Sequence, residues 1–288
     1  MNARAKLAAK PPVTITPRRM QFEFDDAIPA FWFDKDVFKT LLLAGLSTTF
    51  PEGERFFMRA VREFQEGVTD PVLRKQVRGF IGQEAHHGNE HESFNAFIES
   101  KGFPAQAESD FVQKGIAFQE KHLSRERRLA KTCALEHFTA MFAELMLEYP
   151  EFFKGMDERV LPLWLWHAVE ESEHKTVAFD VYQSQVGSYW IRSSEMVKTT
   201  IEFSFFTALH MYRLSRAVEG GIGFRNTLKG LDFLFGRQGW LRKLGPKYLA
   251  YYRRDFHPDE VDSTELRINA MRRLAVMLNK PELAEGYV

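Results

Sequence analysis

Two glutamates in this sequence are each followed three residues later by a histidine: Glu84 and His87 in "QEAHHGNEH", Glu171 and His174 in "HAVEESEH". On a helix, spacings of three and four put side chains on one face, so His167, Glu171 and His174 fall within an arc of roughly 60°. Glu170 also lies between the two histidines, and periodicity alone does not separate it from Glu171. Pairing each carboxylate with a histidine three residues on, the Glu-x-x-His unit of di-metal bundles, selects Glu171. Carboxylate and imidazole converging on one point form a mixed oxygen and nitrogen donor set. Such a set suits iron or manganese, whereas calcium and magnesium prefer oxygen alone.

Two further carboxylates are expected from two further helices. Glu54 shares its stripe with Phe57, Val61 and Phe64, while Glu52 aligns with Arg55, Arg59 and Glu63, so Glu54 is the inward one. In "LAKTCALEHFTAMFAELML", Glu136 sits on a face of small residues that includes Thr132, Cys133, Ala140 and Ala143. Glu144 lies about 80° round that helix and is the weaker choice. Buried together, Glu54, Glu84, Glu136 and Glu171 would repel one another and take up protons, unless two divalent cations cancel their charge. The expected metal ligands are therefore Glu54, Glu84, His87, Glu136, His167, Glu171 and His174, holding two Fe ions, with Mn or a mixed Fe/Mn pair as the other options.

Other reactive side chains have structural readings. His91 continues the face of Glu84 and His87 and is either an outer-shell group or a satisfied core residue. His137 points about 100° away from Glu136 and is expected to bond elsewhere. His86, Glu90 and Glu92 are expected to lean away from the apolar face. Cys133 is a small buried residue, not a nucleophile, because its helix offers no cation on that face. Gly79, Gly82 and Gly88 each cost a helix about 1 kcal/mol relative to alanine, which implies a close approach by a neighbour or substrate.

The elements needed to hold these groups are all helical. Phenylalanine is abundant, at 27 residues, and strand-like alternation is scarce, which favours an aromatic-rich helical core. Punctuation separates a short helix at 35–46, a helix opened by Thr49 and Pro51 and running to about Glu66, and a helix from Asp70 and Pro71 to about Ser100. A connecting helix over 105–121 follows, then one from Ser124 to Glu148, and one from Pro162 to just before Gly187. Glu54 to Glu84 is 30 residues and Glu136 to Glu171 is 35, each fitting an antiparallel hairpin, while the 52 between Glu84 and Glu136 leave room for a crossover. The fold expected is all-α: a ferritin-like four-helix bundle with a long crossover connection and a C-terminal helical extension.

Residues 1–30 read as a mobile arm bearing Arg4, Lys6, Lys10, Arg18 and Arg19, residues 31–190 as the bundle, and 191–288 as the extension packed on it. Basic and acidic residues balance at 39 each, so no overall field attracts nucleic acid. One cysteine, Cys133, excludes an internal disulfide and fits a cytoplasmic protein. The apolar run "EMVKTTIEFSFFTALHMYRL" is broken by Lys198, Glu202 and His210, too charged for a membrane span. Docking on the bundle is its simple reading. The aromatic and basic stretch through 196–255 leaves a peripheral membrane contact or a homodimer contact as its other uses.

The segments "FPEGERFF", "QEAHHGNEH", "LEHFTA", "WHAVEESEHKTVAFDVY" and "FHP" together resemble a bacterial family of predicted metal-dependent hydrolases, a resemblance that covers most of residues 30–260. It implies a ferritin-like fold. The ligand pattern also resembles that of di-iron N-oxygenases of arylamines, in which a third histidine precedes the last Glu-x-x-His by four residues, as His167 precedes Glu171. The first expectation is a di-iron enzyme that activates O₂ to oxidise a small apolar substrate in a cavity lined by Phe57, Phe80 and Trp164. The alternative is a hydrolase in which the metals generate a hydroxide nucleophile. A non-catalytic iron-binding bundle is the third; the roughly 100 residues beyond the bundle and the extra histidine argue against it.

Overall fold

Pro51 does not open a helix; it lies in the middle of one. Helix α1 (Val37–Arg62) is continuous, capped by Asp36, whose side chain accepts from the Lys39 N–H at 2.9 Å. Proline lacks the N–H that would bond the carbonyl four residues earlier, which ordinarily breaks a helix. Here the Ser47 carbonyl accepts instead from the Asn95 side-chain amide at 3.1 Å, so a neighbouring helix satisfies the orphaned group. The two helices expected at 35–46 and 50–66 are thus one.

The computed structural model describes residues 13–285, and among these the chain is all-helical apart from an isolated bridge between Phe33 and Met156. Helix α2 (Pro71–Ser100) starts at the expected Asp70 cap, with Pro71 as its first residue. The crossover helix α3 (Ala105–His122) leads to α4 (Arg125–Glu148), capped by Ser124. The last expected bundle helix is divided into α5 (Leu161–His174) and α6 (Val177–Gln185). The division has an identifiable cause: the buried Arg267 guanidinium donates to the Ser172 carbonyl at 3.1 Å, occupying the acceptor at the point where the hydrogen-bond ladder stops.

Contacts across the helices run in opposite chain directions. Ser47 meets His91 and Asn95 while Gly88 abuts Glu54, so α1 and α2 are antiparallel. Cys133 reaches Ala178 and Glu136 reaches His174, so α4 is antiparallel to α5 and α6. Two hairpins joined by α3 is the ferritin-like layout.

The core has two apolar layers with a polar band between them. One layer includes Leu41, Phe94, Ile98, Leu163 and Ala143; the other includes Phe57, Val61, Phe80, Leu129 and Val181. Along α1, α2 and α4 the candidate ligands fall between residues of the two layers, and Glu171 and His174 fall between the first-layer residues of α5 and the second-layer residues of α6. The site is therefore closed to water at both ends by packed side chains.

Residues 13–30 are packed, not mobile. Ile15, Met20 and Ile28 are buried. A Cβ on Gly79 would lie 2.6 Å from the Ile15 carbonyl oxygen, and one on Gly82 would strike Pro17, so the glycines of α2 admit the N-terminal segment. Glu90, expected to lean outward, is buried beneath that segment and accepts from the Gln21 and Phe22 amides at 2.7 and 3.0 Å. Arg4, Lys6 and Lys10 lie outside the described residues.

The remaining chain forms α7 (Tyr189–Ser215), α8 (Phe224–Phe235), α9 (Trp240–Ala250), α10 (Thr264–Leu278) and a final turn, α11 (Glu282–Glu285). Helix α7 contacts the bundle: Phe203 stacks on Phe138 of α4 at 5.3 Å, and His210 and Arg213 bond Glu108 of α3, each at 2.7 Å. His257 of the "FHP" segment pairs with Asp180 of α6 at 2.9 Å, tying the extension to the bundle. Among the described residues no helix is long and apolar enough to cross a membrane.

Candidate metal centre

All seven expected ligands are buried and face one another. Glu54, His87 and His167 form one group whose ligand atoms lie within 4.8 Å, and Glu84, Glu171 and His174 form a second. Glu171 joins them. Its Oε1 lies 3.2 Å from His167 Nε2 and 3.5 Å from His87 Nδ1, while its Oε2 lies 3.4 Å from His174 Nε2. His174 Nε2 also lies 3.1 Å from Glu84 and 3.4 Å from Glu136. Each of α1, α2, α4 and α5 thus contributes at least one carboxylate.

Whether these residues suit a metal pair can be judged from their unmet bonding. Both carboxylate oxygens of Glu54, Glu84 and Glu136 have no hydrogen-bond partner among the described residues, nor do both nitrogens of His87, Glu171 Oε2 and His174 Nε2. Buried polar atoms are almost always satisfied, and an isolated orphan costs about 1–3 kcal/mol. A cluster of orphans aimed at common points is what cations would satisfy, and the donors fit them.

His174 and His167 are each held from behind by a hydrogen bond that leaves one nitrogen for the site. His174 Nδ1 lies 3.1 Å from Gln83 Oε1, which can only accept, so the Nδ1 carries a proton and Nε2 points into the site. Gln83 is itself fixed by donating to Glu173 at 2.7 Å. For His167 the chain is longer. Ser47 Oγ donates to Asn95 Oδ1 at 2.7 Å and so accepts from His91 Nδ1 at 2.9 Å. His91 Nε2 must then accept from His167 Nδ1, 2.9 Å away, which leaves His167 Nε2 facing Glu171. His87 Nε2 lies 3.2 Å from Glu170, leaving Nδ1 for the site. Carboxylate or amide partners behind metal-binding imidazoles fix tautomer and orientation.

Glu170 and Glu171 differ in their surroundings. Glu170 Oε1 accepts from Arg18 and from Trp166, both at 2.9 Å, while its Oε2 lies 3.2 Å behind His87 Nε2, so one of its oxygens is already engaged outside the two ligand groups. Arg18, Gln83 and Glu173 had no signal in the motif pattern; only the glycines of α2 hinted that another segment approached there. Of the weaker candidates, Glu144 is occupied by Lys175 at 2.7 Å and Lys247 at 2.9 Å. His137 lies 3.2 Å from the Lys247 carbonyl, and Cys133 is a buried thiol donating to the Ala178 carbonyl. Phe80 and Trp164 pack directly against imidazoles, His174 at 5.1 Å and His91 at 5.4 Å, and Phe57 lies within the packed core, so they act as walls.

Protonation in the metal-free protein follows from burial and neighbouring charge. Burial pushes Glu54 up to about 8, and burial together with adjacent carboxylates pushes Glu84 and Glu136 well above the usual range. Burial opposes the charge on His87, but the Glu170 and Glu171 carboxylates 3.2 and 3.5 Å away outweigh it and raise this group to about 10. Burial would also raise Glu171; the charge of His174 and bonds from the imidazoles win and hold it well below 4.5. Burial and the nearby His87 charge lower His167 to about 4.

The centre is a buried four-helix site with two groups of carboxylates and imidazoles of the kind that can hold metal ions. The chain belongs to the family described as predicted metal-dependent hydrolases, whose family model matches residues 16–262. No curated protein and no solved structure matches it.

Proposed function

We propose that the protein is a hydrolase working through a pair of divalent ions, held by Glu54, His87 and His167 on one side and by Glu84, Glu136 and His174 on the other, with Glu171 between them. The observation that carries this reading is the set of unpartnered buried carboxylate and imidazole atoms in two groups joined by Glu171, and family membership supports the reaction class. When bound, a divalent pair supplies Lewis acidity toward a carbonyl or phosphoryl oxygen and lowers the pKa of water. The chain's own contribution is placement. Gln83 and His91 hold the outer protons of His174 and His167, Glu170 places its charge 3.2 Å behind His87, and the apolar layers exclude bulk water.

A second reading, oxygen activation by two Fe(II) ions, is favoured by one feature. Four carboxylates sit with the imidazoles inside an aromatic shell, in which Phe50 stacks on His167 at 4.9 Å and Trp166 meets His87 edge-on at 4.9 Å.

The two readings separate in one assay series. Metal-free protein reconstituted with Mn(II), Zn(II) or Fe(II) under anaerobic conditions is expected to turn over members of an ester, amide and phosphodiester panel, with loss on chelation and recovery on adding metal back. Hydrolysis that survives chelation would refute the first reading. Oxygen uptake by the Fe(II) form without any hydrolysis would favour the second.

A further inference from the structure

The chain is neutral overall, yet residues 216–254 contain nine Lys or Arg against two acidic residues, an excess of seven positive charges. Within this stretch, α8 shows three distinct faces. Phe224, Leu228, Leu231 and Phe235 recur at intervals of four, three and four, which places them within an arc of roughly 60°. All four point to solvent, and Phe224 is 79% exposed. Arg225 and Lys229 flank the stripe on one side and are also exposed. The opposite face is anchored: Gly230 is buried, a side chain there would strike Phe38 of α1, and Phe233 packs on Phe152 at 5.9 Å. Burial on the bundle therefore does not account for the outer stripe.

We infer that α8 docks on the surface of an anionic lipid bilayer, inserting its apolar stripe among the acyl chains while the exposed Arg225 and Lys229 beside it meet the headgroups. An amphipathic helix with large apolar side chains beside lysine and arginine has the composition of an interfacial helix. The contact is peripheral, because no described helix can span a bilayer. Charge decides between a membrane and a second copy of the chain. A two-fold contact through this face would set the same positive excess against itself, whereas anionic headgroups neutralise it and attract each basic residue.

The test uses the full-length protein and vesicles of phosphatidylcholine with or without phosphatidylglycerol. Wild type is expected to co-sediment with the anionic vesicles at low salt, to be released by high salt, and to stay in solution with phosphatidylcholine alone. Arg225→Glu with Lys229→Glu should weaken binding by roughly fivefold or more per residue. Phe224→Ser, Leu228→Ser and Phe235→Ser combined should abolish it with an unchanged melting curve, since these side chains are exposed. Val276→Ser, at an exposed apolar position on α10, should have no effect. Wild type that ignores anionic vesicles, or a triple variant that binds like wild type, overturns the inference. So does a wild-type dimer that the triple variant dissociates, which would assign the stripe to self-association.

Discussion

Replacing Glu171 with alanine is expected to lower the metal content from two ions per chain to one or none and to abolish activity. Glu171 has oxygens that face both ligand groups, at 3.2 Å from His167 and 3.4 Å from His174. A typical protein ligand accounts for roughly a quarter of the binding free energy of a four-ligand site, or about 100-fold in affinity; loss of a shared ligand applies that factor to both ions. Replacing Glu170 should have a different outcome. Its carboxylate accepts from Arg18 and Trp166 and backs His87, so Glu170→Ala should keep both ions and weaken them about 10- to 100-fold. Metal analysis after dialysis against graded chelator separates the two. Retention of both ions by Glu171→Ala with loss in Glu170→Ala would show that the assignment is reversed. Stability supplies a check that activity does not. Metal-free Glu136→Gln should melt higher than metal-free wild type, because it removes a buried acid that has no partner.

The second large effect is on the pH dependence of stability. Glu54 has a folded-state pKa of about 8 against 4.5 when unfolded, and His87 about 10 against 6.5. Both are raised, so the folded metal-free protein binds more protons than the unfolded chain between these values. The stability they contribute is present at low pH and is lost as pH rises. His167, lowered to about 4, and Glu171, held below 4.5, act in the opposite sense, but their windows close by about 6.5 and 4.5. Between pH 6.5 and 8 the metal-free protein should therefore become less stable, by about 2 kcal/mol from Glu54 alone. Metal loading should remove or invert this slope, since binding requires the carboxylates and His87 Nδ1 to be deprotonated. Chemical denaturation of both forms at pH 6.5 and 8 measures it. A metal-free protein that gains stability over that range relative to the loaded form would contradict the protonation scheme.

Much of this arrangement was legible in the sequence because it rests on local rules. The Asp70–Pro71 and Ser124 caps, the lengths between glutamates and the apolar faces of four helices give the bundle, and the faces alone select Glu54 and Glu136. The parts that were not legible depend on partners distant in the chain. Pro51 signals a helix start unless something replaces the hydrogen bond it removes, and Asn95 does so from α2. The break after His174 requires Arg267, and the glycines at 79 and 82 could not say that residues 15–17 were the neighbour. The distinction between Glu170 and Glu171 needed a motif as well as periodicity, and Arg18 explains the role of the second carboxylate.

Side chains from four helices are proposed to hold two ions in the dry layer between the two apolar layers. Anomalous diffraction from crystals grown with Mn(II), recorded near the manganese edge, tests it most directly. Two peaks are predicted, one among Glu54, His87 and His167 and one among Glu84, Glu171 and His174. Full occupancy elsewhere on the molecule, with no peak among these residues, would contradict it.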